Sequence, residues 1–149
     1  MKKTMNNFIL ISACLLSLGI FSANAKEVCQ LIGEGTSAPV EVYLSTNNGE
    51  VQVETINSKN HVSQQFSLKE RASVSTERGQ VNFYSNFEAA KSSDELTLSE
   101  QINDAALASK NKSKVLVEVR KLIGFDHNTM EMVFVKVPND VSVYIYRCN

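Results

Sequence analysis

Two stretches of alternating apolar and polar residues lie on either side of an Asn-Gly pair. Residues 40–46 alternate first, with valine and leucine on one face, and residues 51–55 alternate again after Asn48 and Gly49. Asn-Gly between two such runs is the strongest short-range signal for a tight hairpin, because both residues tolerate positive φ. The pattern therefore predicts a β-hairpin in this part of the chain.

Further segments rich in β-branched and aromatic residues predict an antiparallel sheet. The three segments at the end of the chain are the strongest, and the short loops between them are typical of a meander. A turn centred near Asp126 would place Lys121 opposite Glu131, a pair of opposite charge. The predicted strands cover residues 27–34, 62–68, 71–76, 80–85, 114–120, 130–137 and 141–146.

One segment changes from the period of a strand to that of a helix. Thr97 and Glu100 fit a capping box, in which each side chain bonds a backbone N–H at the helix start. Apolar and small residues then recur at helical spacing through residues 98–109. The strand predicted over residues 130–137 is apolar on both faces, so we expect this amphipathic helix to cover one of them.

The start of the chain has the three parts of a secretory signal peptide. Lys2 and Lys3 precede an apolar run over residues 8–21, and Ala23 and Ala25 form an A-x-A pattern before a charged residue. The run is shorter than the roughly 20 apolar residues that a spanning helix needs. We therefore expect export and cleavage after Ala25.

A competing cleavage site lies at Cys14, which follows small residues as a bacterial lipoprotein site does. Only about six apolar residues precede it, fewer than the roughly seven to fifteen of a hydrophobic region, so we favour the site after Ala25 over a lipid anchor. The chain then consists of a signal peptide, residues 1–25, and one mainly-β domain, residues 26–149. We expect it in the bacterial periplasm or outside the cell, with no transmembrane segment in the mature chain.

Composition is that of an ordinary globular domain: 149 residues, 43% hydrophobic and 21% charged, with 15 Lys and Arg against 16 Asp and Glu. Removing the leader takes away Lys2 and Lys3 and no acidic residue, so the remainder is slightly more acidic. The densest basic run, residues 110–114, is short and fits a solvated loop. Because binding to phosphate backbones needs clustered Lys and Arg, we expect no nucleic-acid partner.

Two cysteines, Cys29 and Cys148, remain after the leader is removed. An even pair in an exported chain predicts a disulfide, and the absence of C-x-x-C favours a structural role over a redox role. The bond would bring the first and last strands together. The predicted fold is therefore mainly β (α+β), a barrel or sandwich-like antiparallel sheet with one amphipathic helix.

Catalytic chemistry has little support in the sequence. The two histidines, His61 and His127, each lie in a polar loop segment, and the motifs of hydrolases, zinc proteases and P-loops are absent. His127, Asp126 and a glutamate would be the groups of a small hydrolase, and spatial pairs of carboxylates are invisible in a sequence. We expect no enzyme activity, no cofactor and no specific metal site.

Tyrosines supply the candidate binding residues. Tyr43, Tyr144 and Tyr146 carry rings with a polar tip, which suits a ligand-binding surface. Tyr144 and Tyr146 also share one strand face with Cys148, so the alternative is a packed face under the disulfide. The chain has no Trp, which weakens a stacking platform for sugars.

An exported leader, an early cysteine, β-strands and a helix over residues 98–109 that leads into the strand at Val115 follow one another in order. This order resembles the oligonucleotide/oligosaccharide-binding-fold B subunits of bacterial AB toxins, over about a third of the chain and in architecture only. The resemblance implies a ring-forming, glycan-binding secreted subunit.

Three functions follow in order of preference. The first is an exported, non-catalytic binding or interaction protein of the bacterial envelope, with a protein or glycan partner. The second is a secreted homo-oligomeric glycan-binding subunit, and the third is a small periplasmic hydrolase.

Overall fold

Eight antiparallel strands close into a barrel in the computed structural model, which describes residues 25–32, 37–88 and 98–149. Each strand pairs with its neighbours in sequence, and the last pairs back with the first. The predicted antiparallel, mainly-β class with a helix is confirmed, and of the two predicted arrangements, barrel and sandwich, the chain forms the barrel. The strands are β1 (Glu27–Ile32), β2 (Val40–Asn47), β3 (Glu50–Asn57), β4 (Ser63–Thr76), β5 (Gly79–Ser85), β6 (Leu116–Gly124), β7 (Thr129–Lys136) and β8 (Tyr144–Cys148), and helix α1 (Leu98–Leu107) and a short 3-10 turn (Ser109–Asn111) lie between β5 and β6.

Several predictions fall on residues outside this description. They are most of the signal peptide, the end of the first predicted strand at residues 33 and 34, and Thr97 of the capping box. Within the described ranges, no helix is long and apolar enough to cross a membrane.

The predicted hairpin is β2 and β3. Asn48 and Gly49 form its turn with φ of 50° and 82°. Positive φ at both positions is what a type I′ turn requires, and this turn matches the twist of the flanking strands. The predicted pairing of Lys121 with Glu131 on β6 and β7 is also confirmed, with Nζ and Oε1 at 2.8 Å.

The prediction of separate strands over residues 62–68 and 71–76 was wrong. The two segments form the single strand β4, which pairs with β3 through its first half and with β5 through its second. A bulge between Glu70 and Ala72 joins them. An extra residue bends a strand and shifts its register without ending it, and the polar residues at this bend broke the alternation that the sequence analysis relied on.

The last strand begins later than predicted, at Tyr144 rather than residue 141. The Asp140 carboxylate accepts a hydrogen bond from the Ser142 N–H at 2.9 Å and from the Tyr144 hydroxyl at 2.7 Å. These bonds hold the β7–β8 connection as a turn, since a side-chain acceptor competes with the sheet for backbone donors. Val141 is consequently exposed.

The disulfide joins Cys29 on β1 to Cys148 on β8, as predicted, at directly opposed positions with their Cα atoms 4.2 Å apart. Both sulfurs are part of the barrel interior, together with alternate residues of the strands. The buried members of this core are Cys29, Val40, Val42, Leu44, Val51, Val53, Leu68, Val117, Val119, Val133, Val135, Tyr146 and Cys148.

A second, smaller core lies between the barrel and the helix. Ile102 and Ala105 of α1 pack with Leu116 of β6 and Phe134 of β7, and Phe87 completes the cluster. The second apolar face of β7 is therefore covered by the helix, as predicted.

The strand order differs from that of the family to which the chain bears a resemblance. An oligonucleotide/oligosaccharide-binding fold is a five-stranded Greek-key barrel, whereas this barrel has eight strands in sequence order. The expectation from that resemblance does not hold for the fold.

We call the end of the barrel with the β1–β2, β3–β4, β5–β6 and β7–β8 connections the upper end. The lower end holds the other three turns and the C-terminus. The disulfide lies toward the lower end, because Glu131, near the start of β7, is opposite Cys148.

Candidate functional site

The upper end of the barrel opens into a cavity of about 640 Å³, which we call the mouth cavity. Volumes between about 300 and 1,000 Å³ are usual for small-molecule sites. Its lining comes from the starts and ends of six strands and their loops. The lining residues are Pro39, Val40, Thr55, Asn57, Asn60, Val62, Gln64, Phe66, Asn86, Ser113, Lys114, Val115, Val137 and Pro138.

The wall of this cavity between β5 and β6 is fixed by Asn86. Its side-chain amide donates to the Val115 carbonyl at 2.9 Å, and its Oδ1 accepts from the Val117 N–H at 2.9 Å. The side chain thus continues the ladder past the end of β5, because it supplies one donor and one acceptor as a backbone residue does. The Asn86 N–H also donates to the Val117 carbonyl at 3.2 Å, so three bonds from one residue hold this wall.

The rim on the β3–β4 side is a tight loop built by two asparagines. The Asn57 Oδ1 accepts from the N–H groups of Lys59 and Asn60, and the Asn60 Oδ1 accepts from the Val62 N–H at 3.1 Å. His61 in this loop has a positive φ of 56°. Because the backbone uses the oxygens of both amides, their Nδ2 groups are the donors that this rim offers to the cavity.

The chemistry of the mouth cavity is that of a neutral polar site. Side-chain amides and hydroxyls lie beside the apolar surfaces of Val40, Phe66 and Val115, and Lys114 carries the one charge among the described lining residues. A few convergent polar groups on an apolar wall fix the orientation of a small ligand. Such a surface suits a molecule with hydroxyl or amide groups and apolar carbon faces.

The structure does not bring the three predicted tyrosines together. Tyr43 lies on the outside of β2, where its hydroxyl donates to the Glu41 carboxylate at 3.1 Å. Tyr146 is 1% exposed and donates to the Val40 carbonyl at 2.8 Å, so it is part of the interior. Tyr144 lies at the upper end and binds Asp140. Ligand binding by Tyr43 and Tyr144 stays a prediction, whereas the buried Tyr146 has almost no surface to offer.

Burial also changes the acidity of Tyr146. Removal from water raises the pKa of its hydroxyl to about 12, with a smaller contribution from Tyr144. A buried phenol resists ionisation because the charged form loses its hydration.

Charged groups meet inside the lower end of the barrel. Lys121 binds Glu131, and this hydrogen bond raises the pKa of the lysine. Glu27 on β1 lies beside the pair. Its pKa is raised by burial first, then by the charge of Glu131 and a hydrogen bond to it, while Lys121 opposes the shift.

Glu27 therefore carries a carboxyl group whose charged form is disfavoured both by burial and by the neighbouring charge of Glu131. Among the described residues, the ion pair of Lys121 and Glu131 is the one contact of this cluster with a short distance, 2.8 Å.

The two histidines do not meet in one site. His61 lies in an upper loop and His127 in a lower one, at opposite ends of the barrel. The Asp126 carboxylate accepts bonds from the backbone and side chain of Asn128, and the backbone bond is the first cause of its lowered pKa. In the described part of the chain, no group of three or more potential ligands is arranged to hold a metal ion.

The residues of the mouth cavity are not among those predicted from the sequence. Asn57, Asn60, Gln64 and Asn86 come from three separate segments, and each one alone is typical of a turn or a strand end. The one available signal was the pair Asn57 and Asn60, three residues apart in the β3–β4 loop. Asparagines at such positions indicate a turn rather than a binding site.

A comparison of the chain with family models, curated proteins and solved structures gave no match to any of them.

Proposed function

We propose that this protein is an exported, non-catalytic binding protein of the bacterial periplasm or cell exterior, and that the mouth cavity is its ligand site. The observation that carries the proposal is the cavity itself, a pocket of ligand size at the open end of a closed barrel. Barrels of eight strands are just wide enough to be filled by side chains or to hold one small ligand.

The ligand class is a saccharide unit. Its hydroxyl groups match the amides of Asn57, Asn60 and Gln64, and its carbon faces match the apolar wall at Phe66 and Val115. A neutral sugar leaves no charge unpaired in a cavity that is almost free of charge, whereas a buried unpaired charge is costly.

Export is the second part of the proposal, and it has support of a different kind. It rests on the leader pattern of residues 1–25 and on the disulfide, since such bonds persist in oxidising compartments. Expression of the full chain in a bacterium and N-terminal sequencing of the protein recovered outside the cytoplasm should give Lys26 as the first residue. A retained leader contradicts this part of the proposal.

Binding is tested with an array of neutral and acidic oligosaccharides, followed by calorimetry on the best neutral glycan. The Gln64→Ala variant should bind that glycan about fivefold more weakly, as expected for the loss of one hydrogen bond. Gln65→Ala is the matched control, because Gln65 is the next residue on β4 and does not line the cavity. Absence of binding to every glycan, or equal losses in both variants, overturns the proposal.

A further inference from the structure

A second cavity lies beside the mouth cavity, on the outside of the barrel at its upper end. It has a volume of about 570 Å³ and lies between α1, the 3-10 turn and the β7–β8 connection. We call it the lysine cavity. The lining residues that matter here are Lys112, Lys114, Lys136, Val137, Pro138 and Asp140.

Three lysines make this cavity positive. Lys112, Lys114 and Lys136 line it together, against the single carboxylate of Asp140. Among the described residues, none of the three has a carboxylate within salt-bridge distance, and the four ion pairs found there involve other cations. The charge of the lysine cavity is therefore not cancelled by the described part of the protein.

The one acidic group is already occupied. Asp140 accepts hydrogen bonds from Ser142 and Tyr144, and these bonds are the first two causes of its lowered pKa, with Lys136 a smaller one. Asp140 remains ionised at neutral pH, and its hydrogen bonds stabilise the turn between β7 and β8. Lys136 is only 8% exposed, so its stem is buried while it lines the cavity, which is the usual behaviour of a long cationic side chain.

The two cavities share a wall. Lys114, Val137 and Pro138 line both of them. The two cavities are therefore neighbours at the upper end of the barrel, and Lys114 borders both of them.

From this arrangement we infer that the saccharide is an acidic one. Its neutral ring occupies the mouth cavity, and a carboxylate, sulfate or phosphate group on it occupies the lysine cavity. Bonds between an ammonium and an oxyanion are roughly twice as strong as neutral ones, so the anionic group provides selectivity over the uncharged sugar. The inference rests on the proposed function, because it extends the same site.

The test uses pairs of glycans that differ only in the anionic group, such as lactose and sulfated lactose, or glucose and glucuronate. Calorimetry should show at least about tenfold tighter binding of one acidic member than of its neutral partner, with the advantage shrinking as salt is raised. Equal affinity for the members of every pair overturns the inference and leaves the proposed function standing.

Variants locate the anionic group. Lys112→Gln should weaken binding of the acidic glycan about tenfold. Binding of the neutral glycan should stay unchanged, because Lys112 lines the lysine cavity and not the mouth cavity. Lys112→Arg should retain most of the affinity. Lys110→Gln is the matched control, an exposed lysine in the same short turn that lines neither cavity.

The possible results distinguish failure of this inference from failure of the proposed function. Equal effects of Lys110→Gln and Lys112→Gln show general charge attraction and overturn the inference. Loss of neutral binding in Gln64→Ala together with an unaltered acidic preference supports both parts. Failure of all glycans to bind overturns the proposed function itself.

Discussion

The two ends of the barrel are built from the same strands and have opposite characters. The upper end is open, with neutral amides around a cavity and three lysines beside it that form no ion pair among the described residues. The lower end has Glu27 beside the ion pair of Lys121 and Glu131, near the disulfide. The charges of an ion pair are already matched within the fold, whereas unmatched polar groups are available to a ligand. A cluster of charges therefore does not by itself locate a binding site.

The largest expected effect comes from removing the disulfide at the lower end. The disulfide closes a loop of 119 residues, and removal of a native disulfide usually costs about 2–5 kcal/mol of unfolding free energy. The variant with Cys29→Ser and Cys148→Ser should therefore unfold at a clearly lower urea concentration. Glycan binding at the mouth cavity should persist below that midpoint. An unchanged midpoint would show that the strands β1 and β8 hold each other without the bond.

A smaller effect is expected from Tyr146, whose hydroxyl forms a hydrogen bond from the barrel interior to Val40 at the start of β2. Tyr146→Phe removes the hydrogen bond to the Val40 carbonyl and should cost about 1 kcal/mol in a urea titration at neutral pH. Tyr43→Phe is the control, since that hydroxyl lies on the outer surface. Equal losses in the two variants would contradict the structural role of Tyr146.

Tyr146 also predicts a dependence on alkaline pH. Its pKa is raised from an ordinary value of 10.0 to about 12, so the unfolded chain loses the phenolic proton first. Unfolding free energy should then fall as pH rises between these values, by up to about 1.4 kcal/mol per pH unit. This fall should be reduced more by Tyr146→Phe than by Tyr43→Phe, because the pKa of Tyr43, on the outer surface, is raised mainly by its hydrogen bond to Glu41 and not by burial.

The smallest effect concerns the carboxyl group of Glu27 at the lower end. The pKa of Glu27 is raised in the folded state, so the unfolded chain ionises at lower pH, and unfolding free energy falls as pH rises through the interval between the two values. Glu27→Gln removes this fall and should stabilise the protein at neutral pH by at most about 1 kcal/mol after solvent screening.

The exposed Glu50→Gln is the control for that comparison, because Glu50 begins β3 at the same end of the barrel. Thermal unfolding at acidic and neutral pH measures both variants. A Glu27→Gln protein that is less stable than the wild type at neutral pH would show that the ionised carboxylate is favourable through Lys121.

Much of the fold could be predicted from local pattern. Asn48 and Gly49 determine their hairpin because few residues adopt two consecutive positive φ angles. The period change over residues 98–109 indicates the helix, and the remaining cysteines indicate the bond between first and last strands. The bulge at Glu70 and the late start of β8 could not be predicted, since both depend on which backbone groups a neighbouring strand or side chain satisfies.

The candidate site was far less accessible from the sequence. Asn57, Gln64 and Asn86 have no common spacing, and their meeting depends on how the barrel closes. Tyr146 was a candidate ligand contact whose position in the strand also fitted packing, and only burial distinguishes these roles. Ion pairs could be predicted from the sequence only within one hairpin. The pairing of Lys121 with Glu131 follows from the register of β6 with β7, whereas the position of Glu27 beside them depends on the closure of β1 against β8.

Periodicity, turn chemistry and the count of cysteines were enough to predict most of the secondary structure, the antiparallel class and the disulfide. They did not reveal that the sheet closes as a barrel, that its upper end is open, or that three lysines line one cavity. Such features depend on residues distant in sequence, and their contacts exist only once loop closure has brought the strands together.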